Sequence, residues 1–193
     1  MGRLVVCTNL TLDGVMQAPG RLDEDTREGF THGGWAAPYA AMAQAGQVFA
    51  SAGALLFGRR TYDDFFNVWP KHVDSPFTPW LNNIQKYVVS TTLKEPLPWV
   101  NSRLLKGNAA EAVAALKREL AKDMLILGSG ALVGALMRDN LVDEWVLLMH
   151  PLVLGSGRRL FAGDIPRTAL SLVNSTATPN GVLIATFHPV ATG

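Results

Sequence analysis

The sequence predicts an α/β fold, with a mixed central sheet flanked by helices in a single domain over residues 1–193. Short β-rich apolar runs alternate with helical stretches along the chain, and two further strands follow one another near its end. Such βα units followed by neighbouring strands are typical of a mixed sheet with helical cover. A chain of 193 residues can bury a core of ordinary size without disulfides or metals.

Composition excludes several classes of protein. Lys+Arg number 17 and Asp+Glu 16, so the formal charge of +1 gives no strong field for nucleic acid or an anionic membrane. The single cysteine, Cys7, excludes a disulfide framework and a CxxC site. No apolar run approaches about 18 residues, and the strand-like N-terminus lacks the apolar region of a signal peptide. We therefore expect a cytoplasmic protein that binds neither nucleic acid nor membrane.

The elements follow from apolar runs and from turn residues. Strands are predicted at residues 4–8, 54–57, 87–89, 103–105, 124–127, 144–149, 169–173 and 182–188. Helices are predicted at residues 36–49, 61–68, 131–137 and, after a cap at Asn108 with Glu111 three residues on, across 113–120. Residues 17–37 and 70–83 are predicted to be irregular, because they are rich in glycine or proline and show no period.

Metal and hydrolase chemistry find little support in the sequence. The four histidines are far apart and form no HExxH pair, so no metal site is predicted. A GxSxG nucleophile motif is absent, and Cys7 lies inside a strand as a small core residue would.

Glycine and hydroxyl residues follow three of the predicted strands. Gly128-Ser129-Gly130 lies between a strand and a helix, as does Gly58-Arg59-Arg60-Thr61, and Ser90-Thr91-Thr92 follows the strand at residues 87–89. Ligands of α/β sheets bind beyond the carboxyl ends of strands, and helix N-termini there attract phosphates. The alternatives are a plain strand–helix turn at Gly128 and two solvated arginines beside a helix cap at Thr61.

The order of these motifs resembles the dihydrofolate reductase superfamily. Its members share the order of Thr11-Leu12-Asp13-Gly14, Gly58-Arg59-Arg60-Thr61-Tyr62, Ser90-Thr91, Gly128-Ser129-Gly130, Leu141-Val142-Asp143-Glu144 and Pro151-Leu152-Val153-Leu154-Gly155-Ser156-Gly157. Within the superfamily, the sequence is most similar to the branch of the reductase domain of the bifunctional riboflavin-biosynthesis deaminase–reductase. The resemblance runs from about Arg3 to Pro189 and implies a dihydrofolate-reductase-like mixed sheet that binds NADPH.

The resemblance also implies a cofactor site. Cofactor phosphates would be bound by Gly58, Arg59 and Thr61, with Arg59 near the ribose 2′-phosphate. The adenosine end would lie by Ser90 and Thr91, and the pyrophosphate would be held by Gly128, Ser129 and Gly130.

Substrate would lie near the turn after the first strand. Asp13 is the candidate catalytic acid, and its alternative role is an Asx turn that holds the bend at Gly14. Phe30 and Trp35 are candidates for an apolar wall against a flat ring, or they pack under their loop. His32 is a candidate proton donor, or it caps the turn at residues 33–34.

The sequence also departs from its relatives. Dihydrofolate reductases place an acid on the first helix, whereas this chain offers four acids in a predicted loop: Asp23, Glu24, Asp25 and Glu28. The riboflavin branch binds a ribose phosphate, for which this chain offers Arg21, Arg27, Arg158 and Arg159.

These observations predict an NADPH-dependent oxidoreductase that transfers hydride to a small heterocyclic or carbonyl substrate. The substrate would be pterin-like or similar to 5-amino-6-(5-phosphoribosylamino)uracil. A protein that kept the fold and binds NADPH or a small ligand without turnover is the alternative. A low charge fraction and aromatics in irregular segments, such as Phe77, Trp80 and Trp99, predict a homodimer.

Overall fold

One eight-stranded sheet organises the protein, which is described here over residues 1–190 by a computed structural model. Its strands are β1 (Leu4–Thr11), β2 (Ala52–Gly58), β3 (Gln85–Val89), β4 (Ser102–Leu105), β5 (Asp123–Leu127), β6 (Glu144–His150), β7 (Leu170–Ala177) and β8 (Leu183–Pro189). They lie in the order β4-β3-β2-β5-β1-β6-β8-β7. The first six are parallel, whereas β8 runs antiparallel to β6 and to β7. The predicted mixed sheet with a C-terminal hairpin is confirmed.

Helices cover the sheet. They are α1 (Gly46–Ser51), α2 (Arg59–Val68), α3 (Phe77–Asn83), α4 (Ala109–Glu119) and α5 (Gly130–Arg138), with 3-10 turns at Arg27–Gly29, Ala37–Tyr39, Ala41–Ala45 and Trp69–Lys71. The predicted cap of α4 is confirmed, since Asn108 Oδ1 accepts hydrogen bonds from the amides of Ala110 and Glu111. None of the helices within residues 1–190 has the length and apolar composition needed to cross a membrane.

The two faces of the sheet have separate cores. Leu4 and Val6 of β1 pack in a cluster with α4 and α5, whereas Val5 and Cys7 pack in a cluster that α1, α2 and α3 cover. This alternation follows from the two-residue period of a strand. Cys7 is fully buried, and burial raises the pKa of its thiol to about 12, as expected of a core residue.

The helix predicted over residues 36–49 is broken. Ala40 has a φ of +47° in the left-handed region, which separates two 3-10 turns, and only Gly46–Ser51 forms an α-helix. The segment is rich in alanine, and both Ala41 and Ala45 are buried. Short stretches with small side chains gain little from helix formation, so tertiary packing determines the backbone here.

The segment predicted to be irregular at residues 70–83 contains α3. Pro76 precedes the helix and Pro79 lies in its first turn, where a missing amide hydrogen costs no hydrogen bond. At the other end of α3, the buried Lys86 Nζ donates to the carbonyls of Leu81 at 2.6 Å and Ile84 at 2.8 Å. Prolines therefore begin this helix, and a lysine from the neighbouring strand satisfies its last carbonyls.

One of the two edge strands of the sheet is β7, and the other is β4. The strand β7 carries no charged residue, and all its residues after Leu170 are exposed. Leu172 is 55% exposed and Val173 54%, and no strand within residues 1–190 pairs with the outer side of β7. Edge strands of monomers are normally protected by charges, proline, β-bulges or a covering element. Of these, β7 has only a bulge, at Val173 in its pairing with β8. We propose that β7 pairs with a second copy of the chain, as the homodimer prediction requires.

A charge on this edge should dissociate the dimer. For the wild type, we expect light scattering at micromolar concentration to give twice the chain mass of 20.8 kDa. Val173→Lys should give the monomer mass, because edge lysines oppose strand pairing. Val73→Lys is the matched control, since Val73 is 78% exposed but lies far from the edge, and it should remain dimeric. A wild-type particle of 20.8 kDa would contradict the proposal.

Candidate active site

A cleft of about 1840 Å³ opens at the carboxyl ends of the central strands. The glycine turns after β2 and β5 form one side, and Met16 and the loop residues 17–28 form another. Cys7, Thr8 and Asn9 from the end of β1 also line it. Because β2, β5 and β1 are adjacent and parallel, their carboxyl ends meet at one edge. The cleft therefore lies where the sequence predicts a ligand site.

Ser129 joins two of the predicted motifs. Its hydroxyl accepts a hydrogen bond from the Gly58 amide at 3.0 Å and donates one to Thr61 Oγ1 at 2.7 Å. Both turn residues before α5 have a left-handed backbone, with φ of +82° at Gly128 and +67° at Ser129. The structure thus brings together Gly58, Thr61 and the turn Gly128-Ser129-Gly130, although the Ser129 side chain is already engaged within the protein.

The amino ends of α2 and α5 both border this cleft. No side chain within residues 1–190 caps either helix, so the first amides of each have no side-chain acceptor. A helix N-terminus carries a partial positive charge, and two of them beside glycine turns form a suitable seat for a pyrophosphate. A Cβ on Gly130 would lie 2.8 Å from Met16 Sδ, so the Met16 side chain packs directly over this turn.

Arg59 connects the start of α2 to the loop after β3. Its Nη1 donates to Thr92 Oγ1 at 2.7 Å, and its Nε lies 3.4 Å from Asp63 Oδ2. Ser90 Oγ accepts from the amides of Thr92 and Leu93, so its hydroxyl stabilises its own turn. Neither Ser90 nor Thr91 lines the cleft over the described residues. Thr92, the last hydroxyl residue of the predicted motif, makes the contact with Arg59.

Asp13 holds two loops together. Its carboxylate accepts hydrogen bonds from the Thr11 hydroxyl at 2.6 Å and from the amides of Leu154 and Gly155 at 3.2 and 2.9 Å. The Thr11 hydrogen bond is the main cause that lowers the pKa of Asp13 to about 2. The Arg159 guanidinium also contacts it at 3.4 Å. These contacts match the alternative role, a carboxylate that fixes the turn, and Asp13 does not line the cleft.

The candidate substrate-binding aromatics lie beneath their loop. Phe30 and Trp35 are buried in a cluster with Val15, and Trp35 Nε1 donates to the Gln17 carbonyl at 2.7 Å. His32 is exposed and packs edge-to-face on Phe30, with the ring centroids 5.7 Å apart. None of Phe30, His32 and Trp35 lines the cleft. Their positions correspond to the structural alternative, in which they support the loop.

Trp35 contacts the buried His150, which in turn contacts Asn9 at the floor of the cleft. The edges of the Trp35 and Tyr39 rings meet His150, with centroid distances of 5.2 and 4.9 Å. His150 is fully buried, and burial lowers its pKa to about 4, so the ring is neutral. Its Nε2 lies 2.9 Å from Asn9 Oδ1. With that oxygen taken as acceptor, the amide group of Asn9 is fixed at the floor of the cleft.

All four acids of the loop line the cleft. Glu24 is half-buried there, whereas Asp25 is paired with Arg27 and Glu28 with Arg158. Oε2 of Glu24 accepts hydrogen bonds from the amides of Gly20 at 2.7 Å and Arg21 at 3.1 Å. Burial and the nearby Asp64 carboxylate raise the pKa of Glu24 even so. Arg21 lies between the two acids and pairs with Asp64 at 2.6 Å. An acid with a raised pKa keeps its proton to a higher pH than an ordinary glutamate, which suits it to proton transfer.

Metal binding has no comparable support, since residues 1–190 bring no group of three or more His, Cys, Asp or Glu side chains together around a possible metal position.

Known proteins resemble this chain in sequence and in structure. The RibD C-terminal domain family matches residues 3–184. The uncharacterised protein YyaP of Bacillus subtilis is 32% identical over 141 residues, which are 69% of this chain and 72% of that protein.

Solved structures share the fold. One is a protein of Shewanella sp. PV-4 that bears the name putative riboflavin biosynthesis protein. It superposes with a TM-score of 0.70 at 20% identity, over 98% of this chain and 99% of that one. Dihydrofolate reductase of Enterococcus faecalis, complexed with NADP(H), gives a TM-score of 0.59 at 15% identity over 97% and 96%. These similarities confirm the predicted dihydrofolate-reductase-like fold. The chain belongs to the RibD C-terminal domain family.

Proposed function

We propose that this protein is an NADPH-dependent reductase that transfers hydride to a small heterocyclic or carbonyl substrate. The observation that carries the proposal is the pair of helix N-termini, those of α2 and α5, that meet at the glycine turns on one side of the cleft. Membership in the RibD C-terminal domain family supports an oxidoreductase. The similar dihydrofolate reductase binds NADP(H) in the same fold.

The residues at this end of the cleft fit a dinucleotide. The amides at the start of α2 and α5 would bind its pyrophosphate. Arg59 would bind the ribose 2′-phosphate, held in place by Thr92. NADPH, when bound, would supply the hydride, while the protein orients the reactants and excludes water.

Reduction also requires a proton, and we propose Glu24 in place of Asp13 as its source. Oε1 of Glu24 has no hydrogen-bond partner within residues 1–190, and the side chain lines the cleft. The raised pKa of Glu24 favours the protonated form, whereas the lowered pKa of Asp13 favours the ionised form. A proton donor must be protonated at the working pH, and Glu24 meets this condition better.

The proposed activity can be tested by separating binding from turnover. We expect NADPH to bind in calorimetry, and its near-ultraviolet absorbance to decay with at least one member of a panel of dihydrofolate, pyrimidinone ribosides and simple enones. Binding without turnover of any member would favour the non-catalytic binding protein. Failure of NADPH to bind would contradict the proposed reductase and would leave only a protein that binds another small ligand.

Arg59 should select NADPH over NADH. A hydrogen bond to a charged group contributes about 1.5–3 kcal/mol, so Arg59→Ala should weaken NADPH binding by about ten- to a hundredfold. NADH lacks the 2′-phosphate, and its affinity should barely change. The measurement is titration of both cofactors against the wild type and the variant.

Arg60 provides the comparison. It also lines the cleft, but it forms no ion pair within residues 1–190, and its side chain follows a different direction from the start of α2. Arg60→Ala should leave the preference for NADPH over NADH unchanged, even if it weakens the binding of both cofactors. An equal loss of NADPH and NADH in Arg59→Ala would indicate a structural role, and a loss of preference only in Arg60→Ala would assign the phosphate to Arg60.

Glu24 and Asp13 should respond to amide substitution in opposite ways. Glu24→Gln should lower kcat by about 10²–10⁴-fold and should remove the fall in kcat with rising pH that deprotonation of Glu24 causes. Asp13→Asn should lower Tm and leave the pH profile of kcat unchanged, because an amide oxygen cannot replace both carboxylate oxygens. The measurements are thermal unfolding and kcat between pH 3 and 9.

The effect of Asp13 on stability should also depend on pH. The pKa of Asp13 is lowered in the folded state, so the ionised carboxylate stabilises the fold at pH values above the ordinary aspartate pKa. This contribution is lost as the pH falls towards about 2. The Tm difference between wild type and Asp13→Asn should therefore shrink in acid. Asp74→Asn, at an exposed site, is the control. Unchanged Tm with a lost kcat in Asp13→Asn would restore Asp13 as the catalytic acid.

A further inference from the structure

The cleft continues past the glycine turns to a group of aromatic side chains. We name it the aromatic wall, and it consists of Phe49 from α1, Phe65 from α2, Trp69 from the following turn, and Phe77 and Trp80 from α3. Phe77 and Trp80 are stacked with centroids 4.9 Å apart and planes at 22°. Phe49 meets both of them edge-on, at 5.1 and 5.5 Å. Four separate elements therefore contribute rings to a single surface.

The aromatic wall is only partly covered by the protein. All five side chains are half-buried, and each lines the cleft while packing on the core behind it. Ligand pockets usually measure roughly 300–1,000 Å³, whereas this cleft measures about 1840 Å³. The cleft thus has room for a second ligand beside a dinucleotide, and that ligand would contact aromatic rings.

The charges around the cleft restrict what this ligand can be. Four cleft arginines are already paired with acids: Arg21 with Asp64, Arg27 with Asp25, Arg158 with Glu28, and Arg159 with Asp13. A phosphate on the substrate would have to compete with these carboxylates. The other two cleft arginines, Arg59 and Arg60, lie at the start of α2, at the proposed cofactor end. Arg59 also contacts an acid, Asp63, at 3.4 Å, whereas Arg60 forms no ion pair within residues 1–190.

We infer that the substrate is a flat compound of one or two rings, without a phosphate or other anionic group, that stacks on the aromatic wall. The inference rests on the proposed function, because it takes the glycine-turn end of the cleft as the cofactor seat. Stacking on aromatic side chains orients a planar ring, and the absence of an unpaired arginine at this end disfavours an anionic tail.

A matched pair of probes tests the inference by calorimetry, with and without NADPH. We expect 2-naphthol to bind, and 2-naphthyl phosphate, which has the same rings and a phosphate, to bind at least tenfold more weakly. Equal or tighter binding of the phosphate ester would overturn the inference, as would failure of 2-naphthol to bind. If NADPH binds while 2-naphthol does not, the inference fails and the proposed function stands. If only 2-naphthol binds, the proposed function fails.

Variants locate the binding surface. Phe49→Leu and Trp80→Ala should each weaken the binding of 2-naphthol by about three- to tenfold and leave the affinity for NADPH unchanged. Phe161→Leu is the matched control, since Phe161 is 41% exposed and contacts Trp145 outside the cleft. Phe49→Leu is the smaller change and keeps the test possible if Trp80→Ala does not fold. Unchanged 2-naphthol affinity in a folded variant of the aromatic wall would overturn the assignment.

Discussion

The candidate site depends on the place of β5 in the sheet. This strand pairs in parallel with β1 on one side, where Val6 opposes Ile126, and with β2 on the other, where Leu55 opposes Leu125. Its partners are more than 60 residues away along the chain, yet their carboxyl ends must meet at one edge once the strands pair. The turn after β5 therefore enters the gap between the turns that follow β1 and β2. Ser129 can then reach the Gly58 amide and Thr61, which sets the entry of α2 beside that of α5.

The sequence predicts this part of the molecule well, because it depends on apolar runs and glycine turns. Runs such as residues 54–57 and 124–127 are fully apolar and become central strands, and the glycines after them mark the site. The direction of individual side chains is harder to predict. Thr92 and not Thr91 reaches Arg59, because the backbone direction after β3 determines which hydroxyl faces α2. Adjacent hydroxyl residues carry no signal that separates them.

Loops and short helices are the parts of the structure that are hardest to predict from the sequence. Phe30 and Trp35 are as suited to a cleft wall as to the core of a loop, and only the path of residues 17–37 places them beneath it. Glu24 is one of four acids in that loop, and its burial beside Asp64 distinguishes it from the others. Residues 70–83 contain prolines that can end a helix or begin one. Here the buried Lys86 donates hydrogen bonds to the carbonyls at the end of α3, which stabilises the helix at the end opposite the prolines.

The two ends of the cleft have different physical origins. The proposed cofactor end consists of backbone amides and glycines at strand ends, so it depends on the sheet more than on particular side chains. The other end consists of side chains on α1, α2 and α3 and on the turn after α2, which can change without disturbing the strands. In this chain those side chains are aromatic, and acids neutralise the nearby arginines. The fold therefore constrains the proposed cofactor end strongly, while the proposed substrate end depends on five aromatic rings and a few ion pairs.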